Sequence, residues 1–142
     1  MTDHAGPGGQ LGMDGRRRVS SGSPFEEQAS YCRAVRVGDS IWVAGTAAYD
    51  DGAVVAPNQA GEQARYILGV IDRALRDLGS SLDDVVRYRV YLTDITLWRD
   101  VVPELGRAFV NARPAGTLVA AAALIDPTLV VEIEVDAVAR PA

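Results

Sequence analysis

The sequence predicts an α+β protein in which one mixed sheet is covered by two helices on one of its faces. Alternation of apolar and polar residues recurs in several segments and is clearest in residues 131–138, where three acids alternate with apolar side chains. Two other segments repeat apolar residues at spacings of three and four, which is typical of helices with one buried face. The predicted order of elements is β-β-α-β-α-β-β.

Residues 1–24 are rich in glycine, serine and proline and lack periodicity, so we expect a mobile N-terminal leader followed by one domain over residues 25–142. Residues 30–37 and 41–48 predict the first two strands, joined by a turn at Gly38. Gly45 inside the second strand indicates a bulge or a close approach by another backbone or a ligand. Residues 49–57 are expected to form a loop.

The first helix is predicted from Asn58, which can cap it, to Gly79, which can end it. Residues 85–93 alternate and predict the third strand, with Val86 and Val90 on one face. The second helical pattern begins near Thr96 but contains Pro103, whose ring excludes an ordinary helix interior. That helix therefore either kinks at the proline or starts only at about residue 102.

The last two strands are predicted at residues 117–124 and 131–138, as a hairpin with a turn at Asp126 and Pro127. The first of them is almost entirely small and apolar, which predicts a position well inside the sheet. The second places Glu132, Glu134 and Asp136 on one face, roughly 6.6 Å apart along the strand. The sheet face away from the helices carries apolar residues, so we expect self-association as a cyclic oligomer.

Composition excludes several classes of function. The chain of 142 residues has a net charge of −5 and no lysine, which argues against a nucleic-acid partner and excludes Schiff-base catalysis. His4 and Cys32 are the only histidine and cysteine, so no metal site of the His/Cys kind and no disulfide is expected. The longest apolar run is too short to span a membrane and no signal peptide is evident, so we expect a cytoplasmic protein without a cofactor.

Specific words in this arrangement resemble the RidA/YjgF superfamily of small trimeric proteins. They are SYCRAVRVGDSIWVAGT, the block QAGEQARYILGVIDRALRDLGSSLDDVVRYRVYLTD, and RPAGTLV…LIDP…VEIE, and together they cover about residues 25–139. The resemblance implies a fold like that of chorismate mutase and a homotrimer with three clefts between subunits. It also implies the hydrolysis of reactive imines and enamines, such as 2-aminoacrylate, to ketoacids and ammonia.

The resemblance assigns roles to particular positions. Glu132 matches the glutamate thought to hold the attacking water, and Tyr31 matches the cleft tyrosine. The family's Ser-Gly-Gln segment reads Ala-Gly-Thr at residues 44–46, so Thr46 replaces the glutamine. The family's asparagine on the second helix falls near Val102.

The arginine that grips the substrate carboxylate in imine-hydrolysing members is missing. Its Pro-Ala-Arg-Ser word reads Pro-Ala-Gly-Thr at residues 114–117, which places Gly116 at the arginine position. An arginine forms a bidentate, charge-assisted pair with a carboxylate, whereas glycine offers one backbone donor. The sequence therefore indicates a substrate without an α-carboxylate.

Each candidate residue can also be interpreted as having a structural role only. Glu132 is either a carboxylate of raised pKa that handles water in an apolar cleft or an exposed strand glutamate. Tyr31 either binds ligand through its hydroxyl or covers the sheet edge. Thr46 and Thr117 either offer hydroxyls and nearby backbone amides to a ligand or are simply good strand formers.

Three arginines, Arg33, Arg89 and Arg113, are candidate replacement cations. Each either binds ligand or forms ion pairs with the acids of the last strand. Cys32 is expected to lie in the core, and Trp42 is expected to serve packing and not as a ligand platform.

The leading hypothesis is a cofactor-independent trimeric enzyme that acts on a small imine, enamine or related carbonyl-derived metabolite. The reaction would be hydrolysis, tautomerisation or cyclisation in a specialised biosynthetic pathway, with Glu132 handling water or protons and the amides near Gly45 and Gly116 stabilising charge. The alternative is a non-catalytic ligand-binding or chaperone-like trimer. A ribonuclease or translation-inhibitor function, also attached to the family, is disfavoured by the net acidity.

Overall fold

The last strand of the chain lies at the centre of the sheet. We describe a computed structural model over residues 9–141. Its strands are β1 (Gln10–Leu11), β2 (Arg17–Val19), β3 (Ala34–Val37), β4 (Ser40–Ala47), β5 (Tyr49–Asp50), β6 (Ala53–Val54), β7 (Val85–Leu92), β8 (Ala115–Ala120) and β9 (Val131–Val138). Its helices are α1 (Pro24–Ala29), α2 (Ala60–Asp77) and α3 (Trp98–Ala108), with short 3₁₀ turns at Leu82–Asp84 and Ile95–Leu97.

Seven strands form one mixed sheet in the order β1-β2-β3-β4-β9-β7-β8. β9 runs antiparallel to both β4 and β7, whereas β7 and β8 are parallel. Parallel neighbours need a crossover connection, and α3 provides the one between β7 and β8. The predicted α+β class and mixed sheet are therefore confirmed.

The predicted hairpin between the last two strands is wrong. β8 pairs with β7, and β9 is inserted between β4 and β7, so the two strands do not touch each other in the sheet. The segment that joins them turns near Asp126, whose side chain accepts hydrogen bonds from the amide and hydroxyl of Thr128 at 2.8 and 2.6 Å. A turn signal between two strand patterns fixes only where the chain bends, and not which strand it then pairs with.

The predicted interior position of the small-residue strand is also wrong. β8 is the edge strand, and five of its six residues are exposed. In contrast, the apolar residues of β9 are fully buried, with exposures of 0–2% for Val131, Ile133, Val135 and Ala137. A run that is apolar on both faces is typical of a central strand, but in this chain it forms an edge, so low polarity alone does not fix a strand's position in the sheet.

Alternation in β7 is interrupted at its start. Val85 is 2% exposed and Val86 is 47% exposed, and the pairing with β9 shifts register between Val85 and Arg87. This bulge reverses the prediction that Val86 shares the buried face of Val90. From Arg87 onwards the predicted alternation holds, with Val90 and Leu92 fully buried.

The two long helices follow their predicted patterns, with changes at the ends. α2 ends as predicted: Gly79 has a φ of +78°, and the amide of Ser80 donates to the carbonyl of Leu75 at 2.9 Å. Its N-cap is Gln59 and not Asn58, which lies one residue outside. α3 begins at Trp98 with Pro103 inside it, so the alternative start near residue 102 is wrong.

The N-terminal segment contributes more regular structure than its composition indicates. β1 and β2 extend the sheet beyond β3, and α1 occupies residues 24–29, within the stretch where no helix was predicted. The first predicted strand is shortened to Ala34–Val37, because Ser30 ends α1 in a left-handed conformation with a φ of +58°. The predicted loop 49–57 contains the short β5–β6 pair. The predicted leader residues 1–8 lie outside the described residues.

Candidate functional site

The middle of β4 carries the bulge on which the site is built. The pairing of β4 with β9 shifts register between Val43 and Thr46, which places Gly45 under the side chain of Glu132. A Cβ atom on Gly45 would overlap Oε1 of Glu132 and would lie 3.3 Å from its Cδ. The predicted bulge at Gly45 is thus confirmed, and the group that approaches it is a side chain, the Glu132 carboxyl.

The Glu132 side chain belongs to the acidic row of β9 but differs from its neighbours in environment. It is half-buried, and this burial raises the pKa of its carboxyl above the usual 4.5. The positive charge of Arg33 opposes that increase in pKa, and the negative charge of Glu134 adds to it. Glu134 itself accepts a short hydrogen bond from the hydroxyl of Tyr91, the residue opposite Glu132 on β7.

Arg33 is buried beside this carboxyl, with an exposure of 6%. One terminal nitrogen donates to the Gly45 carbonyl at 2.6 Å and to Oγ1 of Thr46 at 3.0 Å. The other pairs with the carboxylate of Glu26 at 3.4 Å. The guanidinium also lies 5.7 Å from the ring centre of Tyr31.

Five of the predicted site residues therefore form one cluster in a single chain. Tyr31 is 40% exposed and marks its open side, whereas Thr46 is 3% exposed and donates its hydroxyl to the Ala44 carbonyl at 2.8 Å. The cluster consists of Tyr31, Arg33, Gly45, Thr46 and Glu132.

The other three predicted site residues lie on β7 and β8, away from this cluster. Arg89 pairs with Asp136 of β9 at 3.4 Å, which matches its structural reading as an ion-pair partner of the acidic row. Thr117 lies opposite Arg89 in the parallel register, so it shares the sheet face of Glu134 and Glu132. From the strand spacing and rise, Thr117 and Glu132 are roughly 12 Å apart.

Gly116 faces the helix side of the sheet, opposite to Glu132. A Cβ on Gly116 would lie 2.5 Å from Cζ of Tyr88 and 2.7 Å from its hydroxyl oxygen. The Tyr88 ring stacks on Phe109 of α3 with ring centres 5.1 Å apart. The space that a side chain at position 116 would enter is therefore occupied by an aromatic ring.

A groove runs beside this ring, between α3 and the start of β8. Val102, at the position of the family's asparagine, lines it together with Phe109 and Arg113. The groove is apolar apart from the arginine and the ring hydroxyl. The full lining is Tyr88, Val102, Leu105, Gly106, Phe109, Val110, Arg113 and Pro114.

Sequence reasoning missed Glu26, which lies in α1 before the first predicted strand. It is 5% exposed, and no alternation or motif marks it. Cys32 differs from expectation, because it is only partly buried and does not lie in the core. Trp42 is 47% exposed on the sheet face that carries Asp136.

Two general features of the described residues complete the description. Within residues 9–141, no three histidine, cysteine, aspartate or glutamate side chains come close enough together to hold a metal ion. None of the helices in that range has the length and hydropathy needed to cross a membrane.

The sheet order, the two crossover helices and the bulged strand under a glutamate define the class of protein. The chain belongs to the family described as Endoribonuclease L-PSP, which includes the YjgF/RidA proteins, and the family profile matches residues 21–139.

A solved structure and two related sequences support the same family assignment. The structure of Rv2704 from Mycobacterium tuberculosis, described as a member of the YjgF/YER057c/UK114 family, matches with a TM-score of 0.79 and 44% identity, over 87% of this chain and 98% of that one. An uncharacterized protein of Streptomyces coelicolor, SCO2049, is 37% identical over 125 residues, 85% of this chain and 90% of its own. A RutC family protein of Pyrococcus abyssi is 30% identical over 110 residues, 77% of this chain and 84% of its own.

Proposed function

We propose that the chain is a cofactor-independent enzyme that acts on a small imine, enamine or related carbonyl-derived metabolite. The observation that carries this proposal is the Glu132 carboxyl, which is seated on a side-chain-free glycine, half-buried, and of raised pKa. A carboxyl whose pKa is raised is a stronger base once ionised, so it is suited to accept a proton from a bound water. Its neighbour Arg33 and the ring of Tyr31 give the same place a cation and an aromatic wall.

We also propose that the working unit is a homotrimer with sites between subunits. Glu132 and the groove beside Gly116 lie on opposite faces of one sheet, so a single chain does not bring them together. The sheet face away from the helices exposes Trp42, and the edge strand exposes Val119 at 42%. Packing of three copies through these surfaces would cover them and would bring the edge strand of one copy towards the Glu132 of another.

The reaction needs only water and a group that accepts and returns protons. For an imine, water adds to the carbon of the C=N bond while Glu132 accepts a proton from the water and passes it to the nitrogen. In the resulting aminoalcohol the hydroxyl proton moves through the same carboxylate to the nitrogen, the C–N bond breaks, ammonia leaves, and a carbonyl compound remains. In tautomerisation of an enamine to the imine, the protonated carboxyl delivers a proton to carbon and the carboxylate then takes a proton from the nitrogen.

The surroundings of Gly116 support a substrate without an α-carboxylate. The ring of Tyr88 fills the space of a side chain there, and Val102 adds an apolar wall in place of a polar amide. Pairing of a carboxylate with a charged fork is worth several times a neutral hydrogen bond, and no such fork lies at this position. We therefore place neutral, apolar imines and enamines ahead of amino-acid-derived ones.

The test is turnover of freshly generated imines, with and without an α-carboxylate, by the wild type and by Glu132→Gln. Loss of the proton-handling carboxyl should lower the rate by about a hundredfold to ten-thousandfold. Gly45→Ala should lower it as well, because the added methyl displaces the same carboxyl. Asp136→Asn is the matched control, since it lies on the same face of β9 and should retain the rate. Sedimentation of each variant checks that assembly is unchanged.

The outcome decides between two functions. If Glu132→Gln turns over its best substrate as fast as the wild type, the proposed catalytic role is refuted. If a pathway metabolite raises the melting temperature of the wild type but no variant or substrate shows turnover, the chain is a non-catalytic binding trimer. The lost arginine at position 116 is the observation that favours this second candidate.

A further inference from the structure

Arg33 of the Glu132 cluster forms a buried ion pair with Glu26, and the proposed reaction gives this pair no role. Glu26 and Arg33 are 5% and 6% exposed, and each is far more buried than acids and arginines usually are. Burial of two charges is expensive unless both find further hydrogen bonds. The partners of these two side chains therefore show what the pair is for.

Glu26 is held from the N-terminal segment. The amide of Ser21 donates to both of its carboxylate oxygens at 3.2 Å, and the Ser21 hydroxyl makes a short hydrogen bond to one of them. The same oxygen, Oε2, accepts the contact from Arg33 at 3.4 Å. One carboxylate thus links the segment before α1 to the arginine behind the site.

Arg33 in turn binds the bulged segment of β4. Its Nη1 donates to the carbonyl of Gly45, which lies within the register shift, and to the hydroxyl of Thr46, where regular pairing resumes. The Glu132 carboxyl rests on the Cα of that same Gly45. The guanidinium therefore holds the backbone on which the carboxyl sits, and at least two of its donors are used by protein acceptors.

We propose that Arg33 is a positioning residue that fixes the bulge under Glu132 and supplies a partly neutralised positive charge beside it, and that Glu26 is the anchor that holds Arg33 in place. This assigns to Arg33 a role different from that of a ligand-binding cation. The catalytic consequence rests on the proposed function of Glu132, whereas the positioning itself does not.

The proposal predicts that replacement of Arg33 and replacement of Glu26 change the pKa of Glu132 in opposite directions. The charged and titratable groups that face Glu132 are Arg33 of the segment before β3, Glu134 of β9 and Tyr91 of β7. Removal of the positive charge in Arg33→Gln should raise the pKa of Glu132 further. Glu26→Gln keeps an oxygen acceptor for Arg33 but no longer neutralises it, so the pKa of Glu132 should fall.

The experiment is an NMR titration of the side-chain carboxyl ¹³C signal of Glu132 in the full chain, assigned by its absence in Glu132→Gln. It is run on the wild type, Arg33→Gln, Glu26→Gln and the double variant. In the double variant the pKa should match that of Arg33→Gln, because Glu26 acts through Arg33. Arg65→Gln breaks the 2.9 Å pair with Glu104 between α2 and α3, and should leave the titration unchanged.

Two results would overturn the inference. One is a shift of the same direction in both single variants, which is what general loosening of a structural ion pair would produce. The other is a change in the pKa of Glu132 on Glu26→Gln that is the same in the wild type and in the Arg33→Gln background. That result would mean that Glu26 acts on Glu132 through its own charge and not through Arg33. Each single variant leaves one buried charge without a partner, which can prevent folding. The double variant removes both buried charges together, so it should still fold. The titration needs no turnover, so its failure is distinguishable from failure of the proposed reaction.

Discussion

The contact between Gly116 and Tyr88 allows a prediction with a magnitude. In Gly116→Ala, the new Cβ would lie 2.5–2.7 Å from three atoms at the end of the Tyr88 side chain. Carbon atoms in proteins approach to about 3.5–4.0 Å, so the overlap is on the order of 1 Å. The strand backbone on either side is paired with β7, so the ring of Tyr88 has to move.

Movement of the ring disrupts its stack on Phe109, in which the ring planes are 17° apart. Loss of an aromatic pair costs about 0.5–1.5 kcal/mol, and overpacking of a filled site about 1–3 kcal/mol. Replacement of glycine by alanine in a strand returns about 0.5–1 kcal/mol. The middle values of these ranges predict that Gly116→Ala lowers the free energy of unfolding by about 2 kcal/mol.

Urea unfolding at one fixed protein concentration measures this loss, because assembly would otherwise change the apparent stability. The matched variant is Tyr88→Val, which removes the ring and retains a good strand former. In that background Gly116→Ala should be neutral or slightly stabilising, which gives a coupling energy of about 1–3 kcal/mol between the two positions. An equal loss in both backgrounds would refute the idea that Tyr88 occupies the space of the missing side chain.

The remaining predictions concern a buried amide and the pH dependence of stability. Gln63 is fully buried, donates to the Thr128 carbonyl at 2.9 Å and accepts from the Val130 amide at 2.9 Å. Gln63→Leu should therefore lower the free energy of unfolding by about 3 kcal/mol in urea melts, whereas Gln28→Leu at an exposed position should change it little; similar losses in both would contradict this account. Burial raises the pKa of Glu132 above 4.5, so ionising it destabilises the fold at all pH values above the folded pKa. Glu132→Gln should thus be more stable than the wild type at neutral pH, and the difference should vanish as the pH falls towards 4.5; a constant difference across that range would contradict the assignment.

The features that the sequence predicted well are those set by local periodicity. α2 and β9 have strong single-face patterns, and both lie where the patterns place them. Gly79 ends its helix and Gly45 marks a bulge, and both are backbone features that favour glycine. Alternation and glycine placement are properties of a few neighbouring residues, and they can be read without knowledge of the fold.

The errors arise where a distant partner decides the outcome. β9 enters between β4 and β7, so the pairing of the last two strands depends on residues far apart in sequence. The bulge at Val85 exchanges the faces of two valines, and no local signal distinguishes them. The contacts of Glu26 with Ser21 and Arg33 form only in the folded chain, so the local sequence around Glu26 does not predict them.

Two glycines of the candidate site meet two different requirements for space. Gly45 leaves room for a carboxyl, and Gly116 leaves room for an aromatic ring. Proton transfer to or from a bound water needs the carboxyl and its raised pKa, and it does not need a cation that grips a substrate carboxylate. Under the proposed function, this chain keeps the glycine contact of the carboxyl proposed to act on water, and Tyr88 fills the space at the position proposed to select the substrate. For that reason Gly116→Arg alone should not restore carboxylate binding, since the ring of Tyr88 would still occupy the path of the new side chain.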